Sequence, residues 1–489
     1  MPRPRLLLTL NFLAALALAA VGALAVAAAS RPQTQTFAQF PDTAAAKQFA
    51  GWLAAFNSGD RDTILHFFEK NMPERVSHID DTLDFRKQTG GFDFKQALDS
   101  TATRFTGLVQ ENASGRMARF EIEVAAAEPH RILTLDLELV NQEAGPPPVR
   151  VSESEAISAL KAELEKQTAA DAFSGAVLVA KNGKPIFSGA YGLAERARKT
   201  PNTLDTKFRL GSMNKMFTAT AILQLVEAGK IQLDAPLGKY VPDYPNKEVA
   251  SKVTIHQLLT HTGGTGDFFG PEFDAHRLEL HALQDYVTLL GNRAPKFEPG
   301  SKFEYSNFGF ILLGVVIERV SGQSYYDYVE EHVFRPAGMT ATNSLPEDQA
   351  VPNRSVGYMK LEGGGNWTPN TDTLPYRGTS AGGGYSTVGD LLRFAVALMG
   401  HKLLNEHFTE LLTSGKVATG PVAKYAYGFE DRTVDGVRSY GHGGGAPGMN
   451  GDLRFYPQSG YVIAVLANLD PPAATRVSQF IGNRLPANR

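Results

Sequence analysis

The sequence predicts an α+β protein of two folded units, and three observations carry that reading. Apolar residues alternate with period two at both ends of the larger part of the chain. Helical periodicity fills the space between those ends, and a proline run separates this part from a smaller one of helices followed by strands. At 489 residues the chain also exceeds what one hydrophobic core organises.

Residues 1–30 hold Arg3 and Arg5, then an uncharged run from Leu6 to Ala29 that ends in the small residues Ala27, Ala28 and Ala29. That is the pattern of an export signal, so a periplasmic or secreted location is expected. The run is long enough to anchor the chain if it stays uncleaved, and membrane contact is expected only then.

Residues 38–142 read as the smaller unit. Phe49, Trp52, Leu53 and Phe56 recur at helical spacing, Asn57 to Asp60 break the helix, and Leu65, Phe67 and Phe68 continue beyond the break. Phe120, Ile122 and Val124 then alternate with acidic residues, as Leu133, Leu135, Leu137 and Leu139 alternate with Thr134, Asp136 and Glu138, which predicts half-buried antiparallel strands. Helices followed by a meander make the stretch from about Phe40 to Leu139 resemble the cone-shaped domains of the nuclear-transport-factor-2-like group.

Residues 143–150, with Pro146, Pro147 and Pro148, read as a stiff linker, and residues 151–485 as the second unit, opened by a helix from Ser152 to Lys166. Ala176 to Ala180 and Ile186 to Ala190 flank Asn182-Gly183, a preferred dipeptide of two-residue hairpin turns. Leu453 to Tyr456 and Tyr461 to Asn468 form a second hairpin pattern, whereas Leu210 to Met399 is mainly helical in period. One antiparallel sheet completed from both ends, with a helical insertion, is the architecture expected.

The composition, 43% hydrophobic and 20% charged with a net charge of -3, is that of a globular protein without the basic excess that nucleic-acid binding needs. With no cysteine, a thiol nucleophile, a disulfide framework and a thiolate metal site are all excluded. Neither cofactor nor metal is expected. His256 and His261 are five apart with no glutamate between them, which suits capping or core hydrogen bonding rather than zinc.

The chemistry must then come from oxygen and nitrogen groups. Ser212-Met213-Asn214-Lys215 opens a segment, Met216 to Ala228, that is apolar around nearly its whole circumference. Residues three apart share a helix face, so a Lys215 amine can reach the Ser212 hydroxyl, and the helix N-terminus favours negative charge on the serine over positive charge on the lysine. Such an amine acts as a base only where burial or neighbouring charge lowers its pKa. Tyr305-Ser306-Asn307 enters a second apolar helix closed by Gly322, where a phenol can relay a proton and an amide can hold a carbonyl. Gly441-His442-Gly443-Gly444-Gly445 lies between two strand-like stretches, where glycines let a ligand approach a sheet edge.

With these motifs, and with Leu258 to Gly264, Pro299-Gly300, Ser386-Thr387 and Pro447-Gly448 around them, residues from about Ala172 to Leu469 resemble the serine β-lactamase-related family. That family includes class C β-lactamases, DD-peptidases, penicillin-binding proteins, D-aminopeptidases and family VIII esterases. The resemblance implies a β-lactamase/DD-peptidase-like domain with Ser212 as the acylated nucleophile, and Lys215 and Tyr305 sharing its proton chemistry. It implies that Asn307, His442, Gly443 and Gly444 meet the substrate, and that the Ser212 and Gly445 amides form the oxyanion hole. The substrate expected is a small ester, peptide or amide. Where β-lactamases carry a lysine in the third motif this chain has His442, mostly neutral near pH 7, which turns the expectation away from strong β-lactam turnover.

Two other readings stand beside this one. Gly378-Thr379-Ser380-Ala381-Gly382 matches the nucleophile elbow of α/β-hydrolase esterases, with Asp431 or Asp435 and then His442 in triad order. A non-catalytic sensor that keeps a penicillin-binding fold is the alternative from another class.

Overall fold

The structure, a computed structural model, describes residues 40–112, 117–139, 150–360, 366–420 and 422–487. The expected export segment, the Pro146 to Pro148 run and the loop at Gly363 to Gly365 lie outside the described residues. The chain divides into two units, Met1–Pro146 and Pro147–Arg489.

In the first unit, α1 (Ala44–Ser58) and α2 (Arg61–Asn71) break at Gly59, which takes the left-handed conformation at φ 67. Thr43 and Asp60 cap the two helices through their side-chain oxygens, meeting amides that have no partner within a helix. After α3 (Ile79–Thr89) come β1 (Phe92–Ser100), β2 (Arg104–Glu111), β3 (Met117–Val124) and β4 (Ile132–Leu139), an antiparallel sheet in sequence order. Phe49 of α1 stacks on Phe120 at 3.6 Å between centroids, and Phe105 meets Phe120 edge-on, so aromatic rings fill the space between helix and sheet.

One expectation fails here, at Leu133. The register passes from Glu123–Thr134 to Val124–Ile132, so Leu133 is the extra residue of a β-bulge. Ile132 is buried instead, and Leu133 is 61% exposed. An inserted residue reverses the facing of what precedes it, which strict alternation does not anticipate.

The second unit opens with α4 (Glu153–Ala169), whose Ser152 and Glu155 form a reciprocal capping box. The hairpin β5 (Gly175–Lys181) and β6 (Lys184–Tyr191) turns through Asn182 and Gly183 at φ 50 and 75, the two positive values that a tight primed turn requires. The inserted region follows, with α5 (Asn214–Glu227), α6 (Asn307–Ser321) and α7 (Val388–Met399). The chain then lays down β7 (Val417–Gly420), β8 (Ala423–Tyr425), β9 (Glu430–Val434), β10 (Val437–Ala446), β11 (Met449–Tyr456) and β12 (Tyr461–Ala467), and ends in α8 (Ala473–Gly482).

The resulting sheet runs β7-β8-β9-β10-β11-β12-β5-β6, so its first and last strands in sequence meet where β12 pairs antiparallel with β5. Ala176, Leu178 and Ala180 of β5 face the core shared with α5, α6 and α7, while Val177 and Val179 pack with Leu160 of α4 and Val477 of α8. Covered on both faces, β5 and β12 read as nearly unbroken apolar runs. The inserted helices and the β10 edge thereby come together at one cleft.

Candidate active site

Ser212 lies in a tight turn, Gly211–Met213, that runs directly into α5. Gly211 takes φ 54, a left-handed conformation that brings the turn against β10: a methyl added there would lie 3.0 Å from the Gly445 amide nitrogen. A methyl on Gly444 would lie 1.9 Å from the Leu210 carbonyl oxygen, so close approach is what these glycines permit. Helix α5 is apolar on all sides because every side is covered, and it carries Lys215 into the core with no exposed surface.

The Lys215 ammonium donates to Ser212 Oγ at 3.1 Å, to Asn307 Oδ1 at 2.7 Å and to the Ala381 carbonyl at 2.5 Å. It also lies 4.8 Å from the Tyr305 ring centroid. Burial drives its pKa from the ordinary lysine value down to about 7, against the opposing pull of the Asp267 carboxylate. Asn307 stands at the first position of α6, with Ser306 capping that helix through a hydrogen bond from Gly309 N at 2.9 Å. Burial raises the Tyr305 phenol well above its usual value, an effect that a hydrogen bond with Ser212 opposes. At neutral pH Tyr305 is therefore a proton donor.

His261 supports this tyrosine. Its Nδ1 accepts from Ser306 N at 3.1 Å, and its ring packs 4.2 Å from that of Tyr305 and 4.5 Å from that of Tyr425. On the far wall, His442 meets Tyr425 Oη through Nε2 at 3.0 Å and the Gly443 carbonyl through Nδ1 at 2.5 Å. Burial lowers the His442 pKa to about 4, so the ring is neutral at pH 7. It is 3% exposed and both of its nitrogens are occupied within the protein.

The structure thus brings Ser212, Tyr305, His442, Gly443, Gly444 and Gly445 to one cleft of about 310 Å³, with Lys215 and Asn307 bonded behind the serine. Glu430 and Arg454 line the same cleft and pair at 2.9 Å. Strand β9 pairs with β10 only from Val437 to Gly441, so His442 to Ala446 present one edge that β9 leaves open. Sequence reasoning did not find Asp267, Ala381, Tyr425 or Glu430. Asp267 lies three residues beyond the Leu258 to Gly264 stretch, and the other three are joined to the site only by long-range packing.

Ser380 makes no second nucleophile. It has no exposed surface, and its hydroxyl is buried without a hydrogen-bond partner. A methyl on Gly314 of α6 would come within 2.4 Å of that hydroxyl. Asp431 is taken by Arg438 Nε at 2.9 Å, and Asp435 sits between β9 and β10 at φ 51. The role of the Gly378 to Gly382 segment is a different one, since its Ala381 carbonyl accepts a hydrogen bond from the Lys215 amine. His256 hydrogen-bonds Tyr427 Oη at 2.8 Å, and among the described residues no cluster of three or more His, Asp or Glu is placed to hold a metal.

The Beta-lactamase family model matches residues 160–486, two thirds of the chain, covering this cleft and the whole eight-stranded sheet. The chain belongs to the β-lactamase family. This β-lactamase-family chain is 30% identical over 314 residues to Penicillin-binding protein 4 of Amycolatopsis lactamdurans, across 60% of its own length and 80% of that relative. Among solved structures it is similar to a penicillin binding protein from Bacillus halodurans, with 37% identity, TM-score 0.61, and coverage of 66% of this chain and 99% of that one. It is also similar to a D-stereospecific amidohydrolase from Streptomyces sp., with 30% identity, TM-score 0.57, and coverage of 66% and 97%. The fold and the family are those of serine hydrolases.

Proposed function

We propose that this protein hydrolyses a small amide or short peptide through an acyl-enzyme on Ser212. The observation that carries the reading is a fully buried Lys215 amine, lowered to about 7, at 3.1 Å from the serine hydroxyl. A lysine near 10.5 is protonated at neutral pH and accepts nothing, whereas one near 7 is about half neutral. Lys215 then takes the Ser212 proton as Oγ attacks the substrate carbonyl. The Tyr305 phenol returns a proton to the departing nitrogen, and water reverses the sequence to release the acid. Amides of Ser212 and Gly445 receive the oxyanion, a role supported by the packing of the Gly211 turn against Gly445.

The substrate class follows from the open edge of β10. An extended backbone can pair with that edge as a strand does, which favours an amide or peptide, with activated esters as easier surrogates. Likeness to a D-stereospecific amidohydrolase and to penicillin-binding proteins supports the same class. A neutral His442 offers no cation for a carboxylate, so cephalosporins are expected to be poor substrates. The export-type leader would place the reaction outside the cytoplasm, and the order of three helices then a four-stranded meander supports a nuclear-transport-factor-2-like assignment for the first unit. The test is to label the purified chain with a fluorophosphonate and to assay D-alanyl amides, p-nitrophenyl esters and a chromogenic cephalosporin. Labelling that persists in Ser212→Ala would sink the proposal.

A further inference from the structure

The donor and acceptor pattern behind Ser212 has a definite direction, and it begins at Asp267. A carboxylate only accepts hydrogen bonds, so the 2.8 Å contact between Asp267 Oδ2 and Asn307 must be made by the amide nitrogen of Asn307. That fixes which way the Asn307 amide faces: its oxygen is turned to Lys215, at 2.7 Å. A neutral lysine has two N–H bonds and one lone pair. Asn307 Oδ1 and the Ala381 carbonyl, two groups that only accept on those faces, take the two N–H bonds. The lone pair is left for the third neighbour, the Ser212 hydroxyl.

Asp267 is itself held in place. Its Oδ1 accepts from Phe268 N at 2.7 Å and Phe269 N at 3.2 Å, and Arg293 binds its carbonyl at 2.9 Å while pairing with Glu272 at 2.5 Å. Lys296, next to Gly266, is paired with Glu304 at 3.1 Å. Around the Lys215 amine, Tyr305 and Phe310 present their rings, and His261 and His442 stand in neutral form. The Asp267 carboxylate is the charge that favours the ammonium against its burial.

We propose that Asp267 is a positioning residue of the Ser212 site, which orients Asn307 so that the Lys215 lone pair faces the serine and which sets the pH at which that pair becomes active. This rests on the proposed role of Ser212 and Lys215. Replacing Asp267 by asparagine removes the charge and lets the Asn307 amide turn its nitrogen to Lys215, where the lysine lone pair would be consumed. Both effects weaken the ammonium form, which moves the acid limb to lower pH, and the turned amide also occupies the lone pair, which lowers the plateau.

The experiment follows the rate at which a fluorophosphonate labels the full-length chain as pH is varied, with the labelled peptide identified by mass spectrometry. In the wild type the rate should rise through about pH 7. In Asp267→Asn the plateau should fall about tenfold or more, and the acid limb should move to lower pH by on the order of one unit. Asp267→Glu, which keeps the charge, should return the limb towards the wild-type position. Should Asp267→Asn not fold, Asp267→Ser keeps an oxygen for the Phe269 amide, removes the same charge and must show the same displaced limb. A folded Asp267→Asn or Asp267→Ser variant whose limb coincides with the wild type overturns the inference, whether or not its rate has fallen. A wild-type label on another residue overturns the Ser212 reading itself, so the two failures are distinguishable.

Discussion

Tyr425 Oη stands 3.0 Å from His442 Nε2, and the other ring nitrogen of His442 is bound to the Gly443 carbonyl. A carbonyl only accepts, so Nδ1 carries the proton and Nε2 accepts from the tyrosine. The pair is a closed unit that holds the start of the open β10 edge. Tyr425→Phe leaves a buried acceptor unpaired and should cost about 1–3 kcal/mol, and His442→Ala, which leaves the buried Tyr425 hydroxyl without its acceptor, should be destabilising as well. The double variant should cost less than the sum by about 1 kcal/mol, read from denaturant midpoints. Additive costs would mean that the two side chains act separately.

The pH dependence of turnover follows from two opposite environments. Lys215, lowered to about 7, is inactive when protonated, so kcat/KM should fall about tenfold per unit as pH drops below 7. His442, lowered to about 4, remains neutral across that range and should add no further limb above pH 5. His442→Ala should therefore change the height of the profile and leave its acid limb in place. A limb that disappears in that variant would assign it to the histidine.

Some of this was legible in the sequence for physical reasons. Asn182-Gly183 announces its hairpin because few dipeptides adopt two consecutive positive φ values. Ser212 and Lys215 are found by local spacing, three residues apart across the entrance to α5. Asp267, Tyr425 and the Ala381 carbonyl are not, because they reach the site from separate segments and their chemistry depends on packing that no local pattern encodes. Leu133 misleads because a bulge breaks the period on which the reading relies. Ser380 misleads for the converse reason: a local motif is present and its burial is not visible.

Acid stability should depend on Glu430, which Arg454 and Arg432 hold at 2.9 and 2.7 Å. Burial pushes this carboxyl up, but the guanidiniums more than offset it and bring its pKa to about 2 from 4.5. With the folded value depressed, the stabilisation is fully present above pH 4.5 and is lost as pH falls towards 2. Those pKa values correspond to about 3 kcal/mol, and Glu430→Gln should remove that contribution and make the acid limb shallower than in the wild type. Thermal midpoints measured at several acidic pH values decide it: parallel curves for the two proteins would exclude the ion pair as the cause.

The two serines make the last prediction. Ser212→Ala removes the group that Lys215 faces, so turnover should fall by several orders of magnitude while stability changes little, because the side chain is only half-buried at the cleft. Ser380→Ala removes a hydroxyl that is buried with no partner, so the fold should be unharmed or slightly more stable, with turnover retained. Gly314→Ala separates packing from chemistry at this second site. Its methyl would lie 2.4 Å from Ser380 Oγ and 2.5 Å from Leu283 Cδ1, which should destabilise the protein by about 1–3 kcal/mol. Combining Gly314→Ala with Ser380→Ala should recover part of that loss, because the closest clashing atom is gone. Recovery without any change in the labelled serine would fix Ser380 as a packing residue. Loss of labelling in Ser380→Ala would instead make it the nucleophile and refute the site built around Ser212.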